Sequence, residues 1–227
     1  MDPNDSPPSQ SLVPLTRSFF ERDTEAVARD LLGKLLVSDV DGVCAGGRIV
    51  ETEAYLGVAD AGSHAATRGM TERNKVLFGP PGRAYVYFTY GNHHMLNLVA
   101  HEPGIAGGVL VRALEPLWGL AEMECRRRRP LPEITNGPGK LAAALGLDLS
   151  DNDAEIGRGR IAIYDAAPPE ATIGVSGRVG LSAGYELDLR FFIEGNPFVS
   201  KGRTGPSPVA LRRLVEKPSE GRRKPRR

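Results

Sequence analysis

The chain has 227 residues, of which 41% are hydrophobic and 25% charged, and 29 Lys+Arg against 28 Asp+Glu leave a formal net charge of +1. A globular protein of this length and composition can form one sizeable core without disulfides or metals. With two cysteines, no apolar run near the roughly 20 residues of a membrane span and no signal-like N-terminus, disulfide-rich secreted and membrane-spanning classes are excluded.

The first third of the chain is predicted to contain one helix and two strands, at residues 23–32, 34–38 and 48–55. Before them, the first dozen residues are rich in Pro, Ser and Asp and are predicted to be disordered. Asp23 or Thr24 can cap the helix and Gly33 can end it. Asp41-Gly42 is typical of a hairpin turn between the strands. A loop over residues 57–82 follows, and loops of this length are usually functional or disordered.

The middle of the chain carries the strongest strand signal, an alternation of aromatic and small residues at 84–90 that ends at a Gly91-Asn92 turn. Further strands are predicted at residues 95–100, 109–114, 161–164, 178–181 and 190–194, and helices at residues 116–127 and 138–145. Strands that cluster mid-chain with a few short helices indicate an α+β fold. We expect a single domain with a curved, mainly antiparallel sheet flanked by short helices.

The end of the chain is strongly basic. From Leu211 onward eight basic residues stand against two acidic ones, a local charge of +6, so the first 210 residues carry −5. A basic segment on a slightly acidic body is suited to a polyanion, and it is equally typical of a solvated disordered terminus. The sequence leaves both interpretations open.

Two carboxylates lie on the strand that ends at Tyr55. Because side chains alternate along a strand, Glu51, Glu53 and Tyr55 share one face. Burying an ionised carboxylate is costly unless it is paired or used, so this face is expected to line a polar cleft. The alternative is an edge strand whose carboxylates face water. For Glu51 both interpretations remain open, whereas the long loop beside Tyr55 favours a functional role for Glu53.

Three of the 6 tyrosines fall on the strand at 84–90. Tyr85 and Tyr87 share a face, and Tyr90 stands at the end of the strand against the turn at Gly91. Such rings suit nucleobases, since each stacked ring–base pair contributes about 1–3 kcal/mol. Ordinary packing within a sheet is the alternative for all three.

Two other groups of residues match known site patterns incompletely. The segment at 137–140 lacks the upstream glycine and the Ser/Thr of a phosphate loop, although a helix that begins there can present amides to a phosphate. His93, His94 and His101 lack the spacing of metal ligands, so no metal is expected.

Five segments occur along the chain in a fixed order: residues 48–57 (RIVETEAYLG), 85–91 (YVYFTYG) with Asn97, 111–116 (VRALEP), 136–141 (NGPGKL) and 178–197 (RVG, LRFF and GNP within it). Together they resemble the signature of the alkyladenine (3-methyladenine) DNA glycosylase family. The resemblance spans about residues 15 to 200 and does not cover the basic tail. It implies a glycosylase domain at 15–205, and the composition of the flanking residues predicts a disordered segment at 1–14 and a basic tail at 206–227.

The resemblance implies catalytic roles for three residues and a wedge for a fourth. Glu53 matches the general base that activates a water molecule. Arg112 and the backbone carbonyl of Val179 would hold that water. Tyr90 matches the residue that intercalates into the duplex where the damaged base was. Asn92 stands where the family more often has an apolar residue.

The resemblance also implies a binding site for the extruded base. Tyr55 on one side, with His64 and Tyr87 on the other, would sandwich the base. Asn97 would crowd the 2-amino group of a normal guanine and so give selectivity. The amide of Gly139 and the side chain of Lys140 are candidate phosphate contacts.

The function expected from these roles is that of a DNA N-glycosylase without a cofactor. We expect it to be monofunctional, because no lysine in the motif region around Glu53 could form a Schiff base. It would flip out and hydrolyse alkylated purines such as 3-methyladenine from double-stranded DNA, leaving an abasic site, with hypoxanthine and ethenoadenine as further candidate substrates. We expect a monomer that does not bind membranes. It would act in the cytoplasm, associated with the nucleoid, or in the nucleus of a eukaryote.

Two rival functions remain from the residues alone. A sugar glycosidase could use Glu51 and Glu53, whose Cα atoms lie roughly 6.5–7 Å apart on a strand, near the carboxyl spacing of inverting enzymes. A module that binds nucleic acid without catalysis would show strong salt dependence but release no base.

Overall fold

The computed structural model of the protein describes residues 12–89 and 91–202, with only the backbone of Arg68. Tyr90, the basic tail and most of the segment predicted to be disordered lie outside the described residues. Within that segment, Pro14 is described and forms a bridge with Tyr164. None of the helices in the described ranges has the length and apolar character needed to cross a bilayer.

A curled antiparallel sheet with short helices forms the fold, as predicted. Its strands are β1 (Leu35–Val40), β2 (Val43–Tyr55), β3 (Ala84–Thr89), β4 (His93–Val99), β5 (Gly108–Trp118), β6 (Ile161–Tyr164), β7 (Ile173–Ser176) and β8 (Arg190–Ile193). The helices are α1 (Arg17–Phe20), α2 (Thr24–Asp30), α3 (His64–Arg68), α4 (Leu120–Arg127) and α5 (Pro138–Ala144). The strand order is β3-β4-β5-β2-β1-β6, and β8 joins β2 to β7.

Strand β2 is the centre of this sheet, because it has three neighbours. It pairs with β5 along most of its length, with β1 through residues 43–48, and with β8 through residues 51–53. The register against β5 shifts between Ile49 and Thr52, so an irregularity lies where β2 exchanges β1 for β8. Glu51 and Glu53 therefore lie in the interior of the sheet and not on an edge.

Helices α2 and α5 cover parts of the sheet. Asp23 caps α2 by accepting a hydrogen bond from the amide of Ala26 at 2.8 Å, as predicted. Thr52 of β2 donates to the carbonyl of Ala28 at 2.8 Å, which ties this helix to the central strand. The buried faces of the sheet and helices share one main apolar cluster, so the strand that carries the two carboxylates is rigidly held.

Three sequence predictions of local structure were wrong. The loop at 57–82 contains α3 and the 3-10 turns Gly57–Ala59 and Lys75–Phe78. The helix predicted at 116–127 begins only at Leu120, because residues up to Trp118 extend β5 and pair with β2. No strand forms at 178–181, where Gly180 has φ +74; a positive φ is incompatible with regular strand. Strand β7 precedes it instead.

Candidate active site

A cavity of about 290 Å³ is lined by the end of β2, by alternate residues of β3 and β4, by the first half of β5, by the start of α3 and by residues 179–181. Six of the residues predicted from the sequence line it: Tyr55, His64, Tyr87, Asn97, Arg112 and Val179. The fold therefore gathers into one concave site residues that are up to 124 positions apart in the chain.

Glu53 lies behind the lining of this cavity, fully buried. The Tyr55 hydroxyl donates to its Oε2 at 2.8 Å, and the Val179 amide donates to its Oε1 at 2.7 Å. Nη1 of Arg112 lies 3.2 Å from the same Oε1. All three of these partners also line the cavity, so the carboxylate is fixed at its wall by residues that a bound molecule would touch.

The Tyr55 hydroxyl remains a donor at neutral pH. Burial, and then the negative charge of Glu53, raise the pKa of this phenol well above its usual value near 10. The contact at 2.8 Å is therefore a hydrogen bond from a neutral phenol to the carboxylate.

Arg112 divides its guanidinium among three partners. Its Nε donates to Oε1 of Glu51 at 2.8 Å, and its Nη2 donates to the Ser200 hydroxyl at 3.2 Å. Burial alone would lower the pKa of Arg112, but the charges of Glu53 and Glu51 outweigh burial and raise it. A permanent cation thus lies beside Glu53.

Glu51 has the role of holding this cation. Its Oε1 accepts from Nε of Arg190 at 2.6 Å, and its Oε2 accepts from the amide of Ser200 at 2.7 Å. Burial opposes ionisation, but Arg112 and then Arg190 outweigh it and lower the pKa of Glu51. The open interpretation of Glu51 as a water-facing carboxylate on an edge strand was therefore wrong, and its oxygens are occupied by structural partners.

A cluster of three rings, His64, Tyr85 and Tyr87, forms an aromatic part of the cavity lining. The His64 ring lies edge-on to Tyr87, with 4.8 Å between centroids. Nδ1 of His64 is 3.2 Å from the Tyr85 hydroxyl. Tyr85 is 1% exposed, and its carbonyl accepts from Nδ2 of Asn97 at 3.2 Å. Tyr85 thus contacts both His64 and Asn97 within the cavity lining.

The predicted phosphate contacts lie beside the cavity and not in its lining. Pro138, the first residue of α5, lines the cavity. Lys140 donates to Oδ1 of Asn136 at 2.7 Å. A Cβ added to Gly139 would lie 2.8 Å from Cγ of His93, so this residue packs directly against β4. Thr89, which precedes the undescribed Tyr90, also lines the cavity.

Sequence reasoning missed four polar residues of the site region. Arg190 and Ser200 hold Glu51, and Arg178 forms an ion pair with Asp60 behind Tyr55. Arg178 and Arg190 lie in the RVG and LRFF segments that carry the family resemblance, but the sequence assigned neither arginine a role. Neither Asp60 nor Ser200 carries a signal of its own. Within the part of the chain that is described, no three His, Cys, Asp or Glu side chains are grouped so that they could hold a metal ion.

Comparison with known proteins places the chain among DNA repair proteins. Residues 18–197 match the family model described as Methylpurine-DNA glycosylase (MPG). A relative from Chlorobaculum tepidum, named "Putative 3-methyladenine DNA glycosylase", is 45% identical over 206 residues, covering 89% of this chain and 98% of the relative. Relatives of the same name from Koribacter versatilis and Clostridium tetani are 44% and 42% identical, covering 85% and 82% of this chain and 95% and 98% of the relatives.

Proposed function

The chain belongs to the methylpurine-DNA glycosylase family, and on that premise we propose that it excises 3-methyladenine and related alkylated purines from double-stranded DNA. The single observation that carries the proposal is Glu53, a buried carboxylate fixed by Tyr55, Val179 and Arg112 at the wall of an aromatic cavity. We place the glycosylase domain at residues 15–205 and propose that it acts as a monomer.

The aromatic cavity supports capture of an extruded base. Extrusion costs a few kcal/mol, least for a damaged base that pairs and stacks poorly. Tyr55 on one side, and His64 with Tyr87 on the other, would stack against the base and offset that cost. An N3-alkylated purine is a cation, so the ring faces also attract it by cation–π interaction.

Glu53 supplies the chemistry as a general base. A water molecule held by Arg112 and the carbonyl of Val179 attacks C1′ of the sugar and transfers a proton to Glu53. The C1′–O bond forms as the C1′–N bond breaks, and the departing base takes the electron pair, which neutralises its positive charge. The products are a free base and an abasic site.

Substrate selectivity and contacts to the DNA duplex would come from residues around Glu53. Asn97 is fixed by its hydrogen bond to the carbonyl of Tyr85, and we assign it the exclusion of the guanine 2-amino group. Tyr90 would fill the space that the base leaves in the duplex, and Gly139 and Lys140 would contact phosphates. Hypoxanthine and ethenoadenine are neutral leaving groups that need a proton, so we rank them as secondary substrates.

The proposal also limits the reaction to hydrolysis. Among the described residues that line the cavity there is no lysine. A Schiff base with the abasic sugar would need such an amine, so we expect no strand cleavage by the protein itself.

The test is incubation with duplexes that carry 3-methyladenine, hypoxanthine or ethenoadenine, followed by strand cleavage at abasic sites. Wild-type protein should release 3-methyladenine fastest. Glu53→Gln should bind lesion-containing duplex but release base about 10²–10⁴-fold more slowly, the usual contribution of a general base. The control is Glu122→Gln, which changes a partly exposed glutamate on α4 and should leave the rate within twofold.

Two results would overturn the proposal. Near-normal single-turnover excision by Glu53→Gln would show that Glu53 is not the general base. If wild-type protein binds DNA but releases no purine, the protein is a non-catalytic binding module. The sugar glycosidase draws no support from the geometry, because Arg190 and Ser200, which hold Glu51, do not line the cavity, whereas all three partners of Glu53 do.

A further inference from the structure

A second buried ion pair lies behind the wall that carries Tyr55. Arg178 is 0% exposed and Asp60 is 2% exposed. Two hydrogen bonds join them side by side, from Nη1 to Oδ2 at 2.5 Å and from Nη2 to Oδ1 at 2.6 Å. Neither residue lines the cavity, so neither would touch a bound base.

This pair connects three segments of the chain. Nη1 of Arg178 also donates to the carbonyl of Ala54 at 2.9 Å, and Nη2 donates to the carbonyl of Gly184 at 2.8 Å. Asp60 accepts from the amides of Leu56 and Gly62 at 3.0 and 2.9 Å. The end of β2, the turn before α3 and the loop after β7 are thereby fixed to one another.

Two groups that hold Glu53 depend on those segments. The guanidinium carbon of Arg178 lies 4.7 Å from the centroid of the Tyr55 ring, and Tyr55 donates to one oxygen of Glu53. Val179, the next residue after Arg178, donates its amide to the other oxygen. One arginine therefore fixes the ring and the peptide that orient the proposed base.

Two glycines leave the space that the guanidinium of Arg178 occupies. A Cβ on Gly62 would lie 2.6 Å from Nη2 of Arg178. Gly184 has φ +67, and a Cβ there would lie 2.9 Å from the same nitrogen. Burial raises the pKa of Asp60, but the hydrogen bonds and charge of Arg178 outweigh burial and lower it. The pair is therefore ionic, and its two charges offset each other beside the Tyr55 ring.

We propose that Arg178 and Asp60 are positioning residues that set Tyr55 and the Val179 amide against Glu53 and so determine the rate of the chemical step. The inference rests on the proposed function. Misplacement of reacting groups by about 1 Å can lower a rate about 10²-fold even when the changed residue is remote. Lysine cannot replace the guanidinium of Arg178, because a compact ammonium lacks the two planar, parallel donors that bind both oxygens of Asp60.

The test compares Arg178→Lys and Asp60→Asn with Arg160→Lys. Arg160 also donates two hydrogen bonds to one buried carboxylate, from Nε and Nη2 to Asp151 at 3.0 and 2.7 Å, although its own side chain is 34% exposed, and neither residue lines the cavity. Excision of 3-methyladenine is measured with protein in excess over DNA, which gives a plateau rate constant and a half-saturating protein concentration. Arg178→Lys and Asp60→Asn should lower the plateau about 10- to 100-fold, while Arg160→Lys should stay within twofold.

The two kinetic quantities separate positioning from folding. A variant that is merely less folded has fewer active molecules, which raises the half-saturating concentration and leaves the plateau unchanged. Plateau values within twofold of wild type in both variants would overturn the inference. Failure of both variants to fold would also overturn it, because the pair would then be required for the fold alone.

A second measurement is independent of DNA. Hydrogen exchange at the Val179 amide should accelerate in Arg178→Lys and Asp60→Asn, while the Leu114 amide, which donates to the Thr135 carbonyl, keeps its wild-type rate. Unchanged exchange at Val179 would overturn the inference. If wild-type protein and Arg160→Lys both fail to excise any base, the proposed function fails, and the exchange rates still decide whether the pair positions Val179.

Discussion

Glu51 and Glu53 carry the same functional group two positions apart, and their partners separate their roles. Glu53 is bound by groups that line the cavity, whereas two arginines and Ser200 surround Glu51. Glu51 therefore acts through Arg112, whose guanidinium it orients toward Glu53. Loss of the Glu51 charge should therefore affect the fold around Arg112 before it affects the cavity.

Glu51→Gln should destabilise the protein by about 3–5 kcal/mol, because removing one partner of a buried ion pair leaves uncompensated charge. The measurement is the free energy of unfolding from urea denaturation. The control Glu122→Gln, in a partly exposed pair with Arg126, should cost less than about 1 kcal/mol. A cost below about 1 kcal/mol for Glu51→Gln as well would contradict the assignment of Glu51 to the support of Arg112 and Arg190.

The sequence was informative about single residues where short patterns carried the signal. Glu53 and Tyr55 could be predicted from alternation on one strand, and Tyr87 from the aromatic strand. Arg190 and Ser200 could not be connected to Glu51, because they lie 139 and 149 positions away and only the pairing of β8 with β2 brings them together. The long-range partners of a buried charge therefore cannot be identified from local sequence patterns.

At the scale of elements, one glycine fixes the turn that leaves β2. Gly57 has φ +80, and a Cβ there would lie 1.8 Å from the carbonyl oxygen of Ala106. The chain turns at this point from Tyr55 toward Asp60 and His64. A side chain at Gly57 would therefore separate residues that line the cavity from one another.

Gly57→Ala should cost at least about 3 kcal/mol of folding stability, because backbone strain at positive φ adds to a direct clash with backbone. Gly104→Ala is the matched control, since Gly104 has φ +83 but nothing within 4 Å of an added Cβ. It should cost only the strain, about 1–2 kcal/mol. Equal costs in thermal denaturation would show that the contact with Ala106 does not matter.

Elements were predictable where local propensity and tertiary pairing agree. Helix α2, the hairpin at Asp41-Gly42, strand β3 and helix α5 all match the predictions within a few residues. Residues 116–118 start with proline, which is typical of a helix N-terminus. They extend β5 because Gly46 and Gly47 of β2 accept them as partners; a Cβ on Gly47 would lie 2.1 Å from the Glu115 carbonyl oxygen.

For the whole molecule, charge is divided between a slightly acidic body and a tail of +6 from Leu211 onward. The near-zero total is thus compatible with a DNA partner. Truncation after Ala210 should weaken DNA binding and reduce its salt dependence. The slope of log binding constant against log salt concentration should decrease in magnitude by about 0.9 for each phosphate that the tail neutralises in the full-length protein. The plateau rate of excision should stay within twofold. Loss of excision outright would show that these residues belong to the fold.

Gly202 lies close to the site. A Cβ on Gly202 would lie 2.4 Å from Cγ1 of Val179, whose amide holds Glu53. Residue 14, by contrast, pairs with β6, the outermost strand on the other side of β2 from β3 and β4. Positions 201 and 14, both exposed, therefore differ as attachment points. A fluorophore coupled at position 201, next to Gly202, would report on occupancy of the cavity, whereas one coupled at position 14 would not.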